Sequence, residues 1–201
     1  MVESRNNSRD NVAKVCLVGN HEVGKSSLIR RLAPDRFGEE LPTIWRPPYI
    51  EYCYNLNGSK IMLHVWDFYH GEKNGPIPPL YYRDAKGVLV VYDISDKKSF
   101  SSIDQWIEGL ERCPRCAYLV LVGNKADLES ARQVSYEDGA KKAQKYGIKF
   151  IETSAKDDTN VKSVFELLAS DLLSMEESKN GENSKLTLRK KPEVVKSATC
   201  F

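Results

Sequence analysis

Two runs of this chain, residues 87–93 and 117–123, are short and almost wholly apolar. A strand so uniformly apolar must be buried on both faces, the condition of an inner strand in a parallel sheet covered by helices. Four further short runs, 12–18, 50–55, 60–67 and 149–152, bring the expected strands to six. Between them lie segments of helical period. Phe100, Ile103, Ile107 and Leu110 share one face, as do Val161, Val164, Phe165, Leu168 and Leu172. The alternation predicts an α/β fold: a six-stranded, mostly parallel sheet with helices on both faces. Asn57-Gly58 is a strong hairpin signal, so the runs on either side of it are expected to pair antiparallel. A first helix is expected over residues 24–32, and the Ser135 hydroxyl is placed to cap another, with Asp138 three residues on.

At 201 residues, 41% hydrophobic and 29% charged, the chain fits one domain, expected over residues 12–175. The polar ends, 1–11 and 176–201, lack helical period and large apolar residues and are expected to be disordered. A formal charge of +2, with the basic residues spread along the chain, argues against a nucleic-acid partner. No apolar run approaches the roughly 18 residues needed to cross a bilayer, and the polar start has no signal-peptide core, so a soluble, cytoplasmic protein is expected; a monomer is expected as well. Five cysteines at uneven places fit a reducing compartment. Cys16 and Cys53 fall in strands and are expected to pack as small apolar residues. Cys113-Pro114-Arg115-Cys116 is a lone CxxC with no second pair or histidine cluster, which favours a surface loop over metal or redox chemistry.

The segment Gly19-Asn20-His21-Glu22-Val23-Gly24-Lys25-Ser26 fits GxxxxGK[ST] between a strand and a helix, the setting of a P-loop NTPase. Such a loop turns successive backbone N–H groups and a helix N-terminus toward one point, where phosphate charge is stabilised. Glu22, Val23, Gly24, Lys25, Ser26 and Ser27 are therefore the expected phosphate-binding residues, with Lys25 on the outer phosphates. The Ser26 hydroxyl is an expected ligand of Mg²⁺, and Asp67, ending the strand that returns beside the loop, is expected to hold the ion. Asn124-Lys125-Ala126-Asp127 follows a buried strand and sets a carboxylate at the same sheet edge. Guanine offers an N1–H and an amino group to the Asp127 carboxylate; adenine offers neither, so GTP and GDP are expected over ATP. In Ser154-Ala155-Lys156 the Ala155 amide can meet the guanine carbonyl, and the Lys125 stem can lie across the base.

With these three motifs in order, the chain resembles the Ras superfamily over about residues 12–175. Val65-Trp66-Asp67, Tyr81-Tyr82-Arg83-Asp84-Ala85 and Val91-Tyr92-Asp93 make it most similar to the Rab branch. The resemblance implies GTP/GDP and Mg²⁺ as cofactors and two switch loops whose order depends on the γ-phosphate. It also implies effector proteins that bind the GTP state, an exchange factor, and a place in vesicle-mediated transport on the cytosolic face of endomembranes. Pro42-Thr43-Ile44 resembles the first switch, so Thr43 is expected to close the Mg²⁺ shell. Phe37 is expected to pack on the base, though it stands one residue nearer Thr43 than is usual in the family.

The second switch of a Rab protein normally reads Trp-Asp-Thr-Ala-Gly-Gln-Glu, whereas this chain reads Trp66-Asp67-Phe68-Tyr69-His70-Gly71-Glu72. Gly71 occupies the place of the catalytic glutamine and cannot orient a water, while His70 restrains backbone where the family has glycine. No catalytic residue is assigned, and slow hydrolysis is expected. His21 stands where a Ras-type chain has glycine; it either crowds the space of an activator's arginine or faces solvent. Gly75, Pro76, Pro78 and Pro79 are expected to break the switch helix. Cys200 is next to last, not fourth from the end as C-a-a-X prenylation requires, so lipidation of Cys200, helped by Arg189-Lys190-Lys191, and an unmodified tail both stay open. Two functions are consistent with all this: a Rab-like switch with slow turnover, or a nucleotide-bound scaffold with negligible turnover. An ATP-using kinase would leave Asp127 and Ala155 without a role.

Overall fold

The computed structural model describes residues 11–32, 49–56, 58–67, 79–111 and 118–181. Six strands form one sheet: β1 (Asn11–Val18), β2 (Tyr49–Leu56), β3 (Ser59–Trp66), β4 (Gly87–Asp93), β5 (Tyr118–Asn124) and β6 (Lys149–Glu152), in the order β2-β3-β1-β4-β5-β6. Every neighbouring pair is parallel except β2 with β3. Leu56 pairs with Ser59, and Gly58 has a φ of 85°, as the tight hairpin requires. β4 is buried along its whole length, as its uninterrupted apolar sequence demands.

Side chains alternate across the sheet and build two cores. On one face Val15, Leu17, Leu63, Leu89, Val91 and Val122 meet α1 (Lys25–Leu32) and α6 (Val161–Gly181). On the other, Cys16, Val18, Val88, Val90, Tyr92 and Leu121 meet α2 (Pro79–Tyr82), α4 (Ile103–Glu111) and α5 (Tyr136–Tyr146). The α6 stripe of Val161, Val164, Phe165 and Leu168 is fully buried, each large side chain contributing roughly 1.5–3 kcal/mol. The Ser135 hydroxyl caps α5 by accepting from the Asp138 N–H at 3.1 Å, and Gly147 closes it in the left-handed region at φ 62°.

Five details differ from expectation. The stripe from Phe100 to Leu110 spans two helices, because α3 (Lys97–Ser101) ends at Ser102, whose N–H turns back to Lys98 O at 3.1 Å. Asn11, placed in the disordered N-terminus, is the first residue of β1, where it pairs with Ile61. α6 continues beyond Met175 through residues 176–181, also placed in a disordered tail; Glu and Lys there are good helix formers, and a nucleated helix extends without an apolar stripe. Cys53 is exposed, not packed: on edge strand β2 it alternates with Tyr52 and Tyr54, which lie against the core, so Glu51, Cys53 and Asn55 point the other way. Pro79 does not break α2 but starts it, where a missing N–H costs nothing. Among the described residues, no helix is long and apolar enough to cross a membrane.

Candidate functional site

The loop after β1 takes its shape from backbone that only particular residues tolerate. Gly19 has a φ of 142°, and a Cβ there would lie 2.0 Å from Val91 O. Gly24 has a φ of 94°, and a Cβ would lie 2.3 Å from Asn124 Nδ2. Glu22 adopts the left-handed region at φ 65°, uncommon for a residue with a side chain. Val23 is buried in the α1/α6 core and anchors the loop from beneath. Lys25, the first residue of α1, is buried and donates through Nζ to Gly19 O at 2.9 Å and Asn20 O at 2.5 Å. Its stem is thereby folded over the loop's own carbonyls. Ser26 Oγ donates to Asp67 Oδ1 at 3.0 Å, joining the first turn of α1 to the residue after β3. Ser27 is exposed on the same turn. His21 is exposed and lies 3.6 Å from the exposed Glu22 carboxylate.

Across the sheet edge, the loops after β5 and β6 are fastened by side chains. Asn124, almost fully buried, donates through Nδ2 to Val23 O at 2.8 Å and accepts at Oδ1 from Thr153 Oγ1 at 3.1 Å. This one amide binds the phosphate-loop backbone to both other loops. Lys125 takes left-handed backbone at φ 65° and ψ 39° and pairs with Asp93 Oδ2 at 2.7 Å. Burial works against charge on Asp93, but hydrogen bonds from Lys125 and Ser95 outweigh it and hold the carboxyl below its usual pKa. Asp127 lies in a 3-10 helix, Ala126–Ala131, and accepts at Oδ1 from Ser154 Oγ at 2.7 Å; Lys156 Nζ stands 3.8 Å from Oδ2. Ala155 is nearly buried, and its carbonyl and that of Lys156 accept from Arg31 of α1 at 2.8 and 2.9 Å.

Behind these loops Arg132 makes a two-pronged ion pair with Glu152, Nη1 to Oε1 at 2.7 Å and Nη2 to Oε2 at 2.9 Å. It also pairs with Glu129 and donates to Val134 O. Arg132 follows the helix that carries Asp127, and Glu152 ends the strand that delivers Ser154. The pair therefore clamps the two loops from the rear. Nothing local in the sequence singles out Arg132, Glu152, Arg31 or Thr153; each acts on a partner far along the chain.

Most of the expected site residues thus converge on one end of the sheet: Glu22, Val23, Gly24, Lys25, Ser26, Asp67, Asn124, Lys125, Asp127, Ser154, Ala155 and Lys156. Phe37, Thr43, His70, Gly71, the Cys113 to Cys116 segment and Cys200 lie outside the described residues.

A parallel α/β sheet with a lysine-bearing glycine loop at the head of its first helix defines the P-loop class. The sequence profile of the Ras family matches residues 14–174. The chain is 38% identical over 176 residues to "Ras-related protein Rab-13" of Canis lupus familiaris, covering 87% of each chain. It is 38% identical to "GTP-binding protein ypt2" of Schizosaccharomyces pombe, covering 82% of this chain and 83% of that one. With "Ras-related protein SEC4" of Saccharomyces cerevisiae the identity is 39%, covering 81% of this chain and 75% of the relative. The protein belongs to the Ras family and is a Rab-like small GTPase.

Proposed function

We propose that the protein binds GTP and GDP with Mg²⁺ and acts as a Rab-type switch in vesicle traffic, recruiting effector proteins in its GTP state and reset by an exchange factor and by slow hydrolysis. The observation that supports this is the Asn124 Nδ2 bond to Val23 O, which keeps a carboxylate-bearing loop and a phosphate loop at one mouth of the sheet. Asp127 accepts the two guanine donors, the Ala155 amide meets the base carbonyl, and Lys125 lies along the base. Adenine would leave the largely buried Asp127 carboxylate unmatched. Lys25 and the amides of residues 22–27 take the phosphates.

The Ser26 hydroxyl and the Asp67 carboxylate are hard oxygen donors 3.0 Å apart, a set that fits Mg²⁺, and Thr43 is a third candidate ligand. When bound, Mg²⁺ neutralises phosphate charge. Slow turnover follows from Gly71, which has no side-chain amide to orient water, and from His70, which stiffens backbone that would otherwise approach the γ-phosphate. The exposed His21 would crowd the space an activator's arginine uses. The same Gly71 favours a second function, a nucleotide-bound scaffold with negligible turnover. The tail offers Cys200 for a lipid and Arg189-Lys190-Lys191 for anionic headgroups, a combination that would hold a monomer on the cytosolic face of a membrane.

Nucleotide identification on the purified protein and single-turnover GTP hydrolysis test the proposal. Bound guanine nucleotide is expected, with hydrolysis slower than in a glutamine-bearing relative. The double substitution His70→Gly with Gly71→Gln should accelerate it more than the two single changes combined. A wild-type rate equal to the relative's would sink the slow-turnover proposal, and no hydrolysis during the lifetime of bound GTP would favour the scaffold. In cells, Cys200→Ser should move the protein to the soluble fraction; an unchanged distribution with no lipid on the intact mass would remove the membrane role.

A further inference from the structure

Asn20, the second residue of the phosphate loop, has no role in the motif, yet its carboxamide is held at both ends. Nδ2 donates to Ser102 Oγ at 3.1 Å, and Oδ1 accepts from Trp106 Nε1 at 2.9 Å. Both partners are more than 80 residues away in sequence, at the junction where α3 stops and α4 begins. The Asn20 carbonyl in turn accepts from Lys25 Nζ at 2.5 Å. One residue therefore ties the ammonium group expected on the outer phosphates to a helix junction on the α4/α5 face.

That junction is itself braced. Ser102 Oγ donates to Lys98 O at 3.0 Å. Asp104, one turn before Glu108 on α4, accepts from Lys142 at 2.8 Å, from Lys145 at 3.1 Å and from the Tyr146 hydroxyl, all on α5. The clamp on Asn20 thus stands on a support that does not depend on the phosphate loop.

We infer that Trp106 and Ser102 are positioning residues for the phosphate loop: by gripping Asn20 they hold its carbonyl, and with it the Lys25 ammonium, in the conformation that receives the outer phosphate of a nucleotide. The inference rests on the proposed phosphate role of the loop. Its physical basis is pre-organisation. A loop that samples other conformations binds more weakly in proportion to the fraction of time it is misplaced. Lys25 contributes most to the phosphates beyond the first, so loss of the clamp should weaken GDP binding and spare GMP binding. A contact that served only to pack α4 would weaken both alike.

Trp106→Phe keeps an aromatic ring and deletes the N–H, and Asn20→Ala removes the carboxamide. Each should raise the GDP dissociation rate about three- to tenfold, the worth of one or two ordinary hydrogen bonds, while GMP affinity changes less than about twofold. Together the two changes should do little more than Asn20→Ala alone, because they cut the same link. In wild-type protein the Trp106 indole N–H resonance, assigned by its loss in Trp106→Phe, should shift when GMP replaces GDP. An unchanged GDP release rate in Trp106→Phe, or equal losses for GDP and GMP, would overturn the inference while leaving the nucleotide site intact. Failure of the wild-type protein to bind any guanine nucleotide would overturn the phosphate role of the loop, and the clamp's function with it.

Discussion

The two halves of the site are held in opposite ways. The phosphate loop is shaped by its backbone, through positive φ at Gly19, Glu22 and Gly24 and through main-chain carbonyls that receive Lys25. The loops after β5 and β6 are shaped by side chains bonded to one another: Asn124 with Thr153, Asp127 with Ser154, Lys125 with Asp93, Arg132 with Glu152. A phosphate group presents diffuse charge to any well-aimed set of amides, so main chain suffices. A base has an individual pattern of donors and acceptors, which only side chains of chosen type can match. The first half should therefore fail when a Cβ is added, and the second when a functional group is exchanged.

The largest effect is expected where a functional group is exchanged at the base. Asp127→Asn should reduce affinity for GTP about 10³-fold or more and move preference toward xanthine nucleotide, measured by competition binding. If ATP competed equally with GTP on the unmodified protein, the base-reading half would lose its meaning.

Next comes the added methyl group. Gly24→Ala places a Cβ at φ 94° and 2.3 Å from Asn124 Nδ2, so the bond that joins the halves must break or shift. Strain of about 1–3 kcal/mol is expected, with nucleotide affinity down about tenfold to a hundredfold. Isothermal titration with GDP checks this, and wild-type affinity would show that the loop's conformation is not what binds phosphate.

Glu152→Gln tests the clamp behind the base-reading loops. It leaves the Arg132 guanidinium, only 18% exposed at its side chain, facing a neutral partner. A loss of about 2 kcal/mol should lower Tm by about 4–8 °C in a domain of this size. Scanning calorimetry reads the shift, and a Tm within 1 °C of wild type, counted as about no change on that scale, would make the pair ornamental.

The smallest effect is expected at the support of the phosphate side. Hydrogen bonds from Lys142 and Tyr146 lead the causes that hold the Asp104 carboxyl well below the usual carboxylate range. Its folded-state pKa is depressed, so its contribution is complete above the unfolded value of about 3.9 and is lost as pH falls below it. The Tm gap between wild type and Asp104→Asn should be modest at neutral pH and close as pH drops under about 4. A gap that stayed constant through that range would show that the charge on Asp104 contributes nothing.

The sequence was most legible where local pattern and local physics coincide. β4 was bounded correctly at both ends, because an apolar run between Gly87 and Asp93 can only be a strand buried on both faces. The phosphate loop was legible because its backbone needs glycine at set places, and the Ser135 cap because its partner is three residues away. Reading failed where one face or one neighbour decided the outcome. Cys53 looked like core until the hairpin set it on the open side of an edge strand, and the stripe across α3 and α4 concealed the break at Ser102.

The chain's own periodicity and turn residues thus determined the strand set, the sheet class and the motifs that bring it into the Ras family. Only the folded sheet decided that Asn124 would close on Val23, that Arg132 would lock Glu152, and that Trp106 would hold Asn20. The reason is one of range. Periodicity records how each segment meets water and core, whereas these bonds join residues 20 to 101 positions apart, and no segment carries a mark of a partner that the topology alone brings within 3 Å.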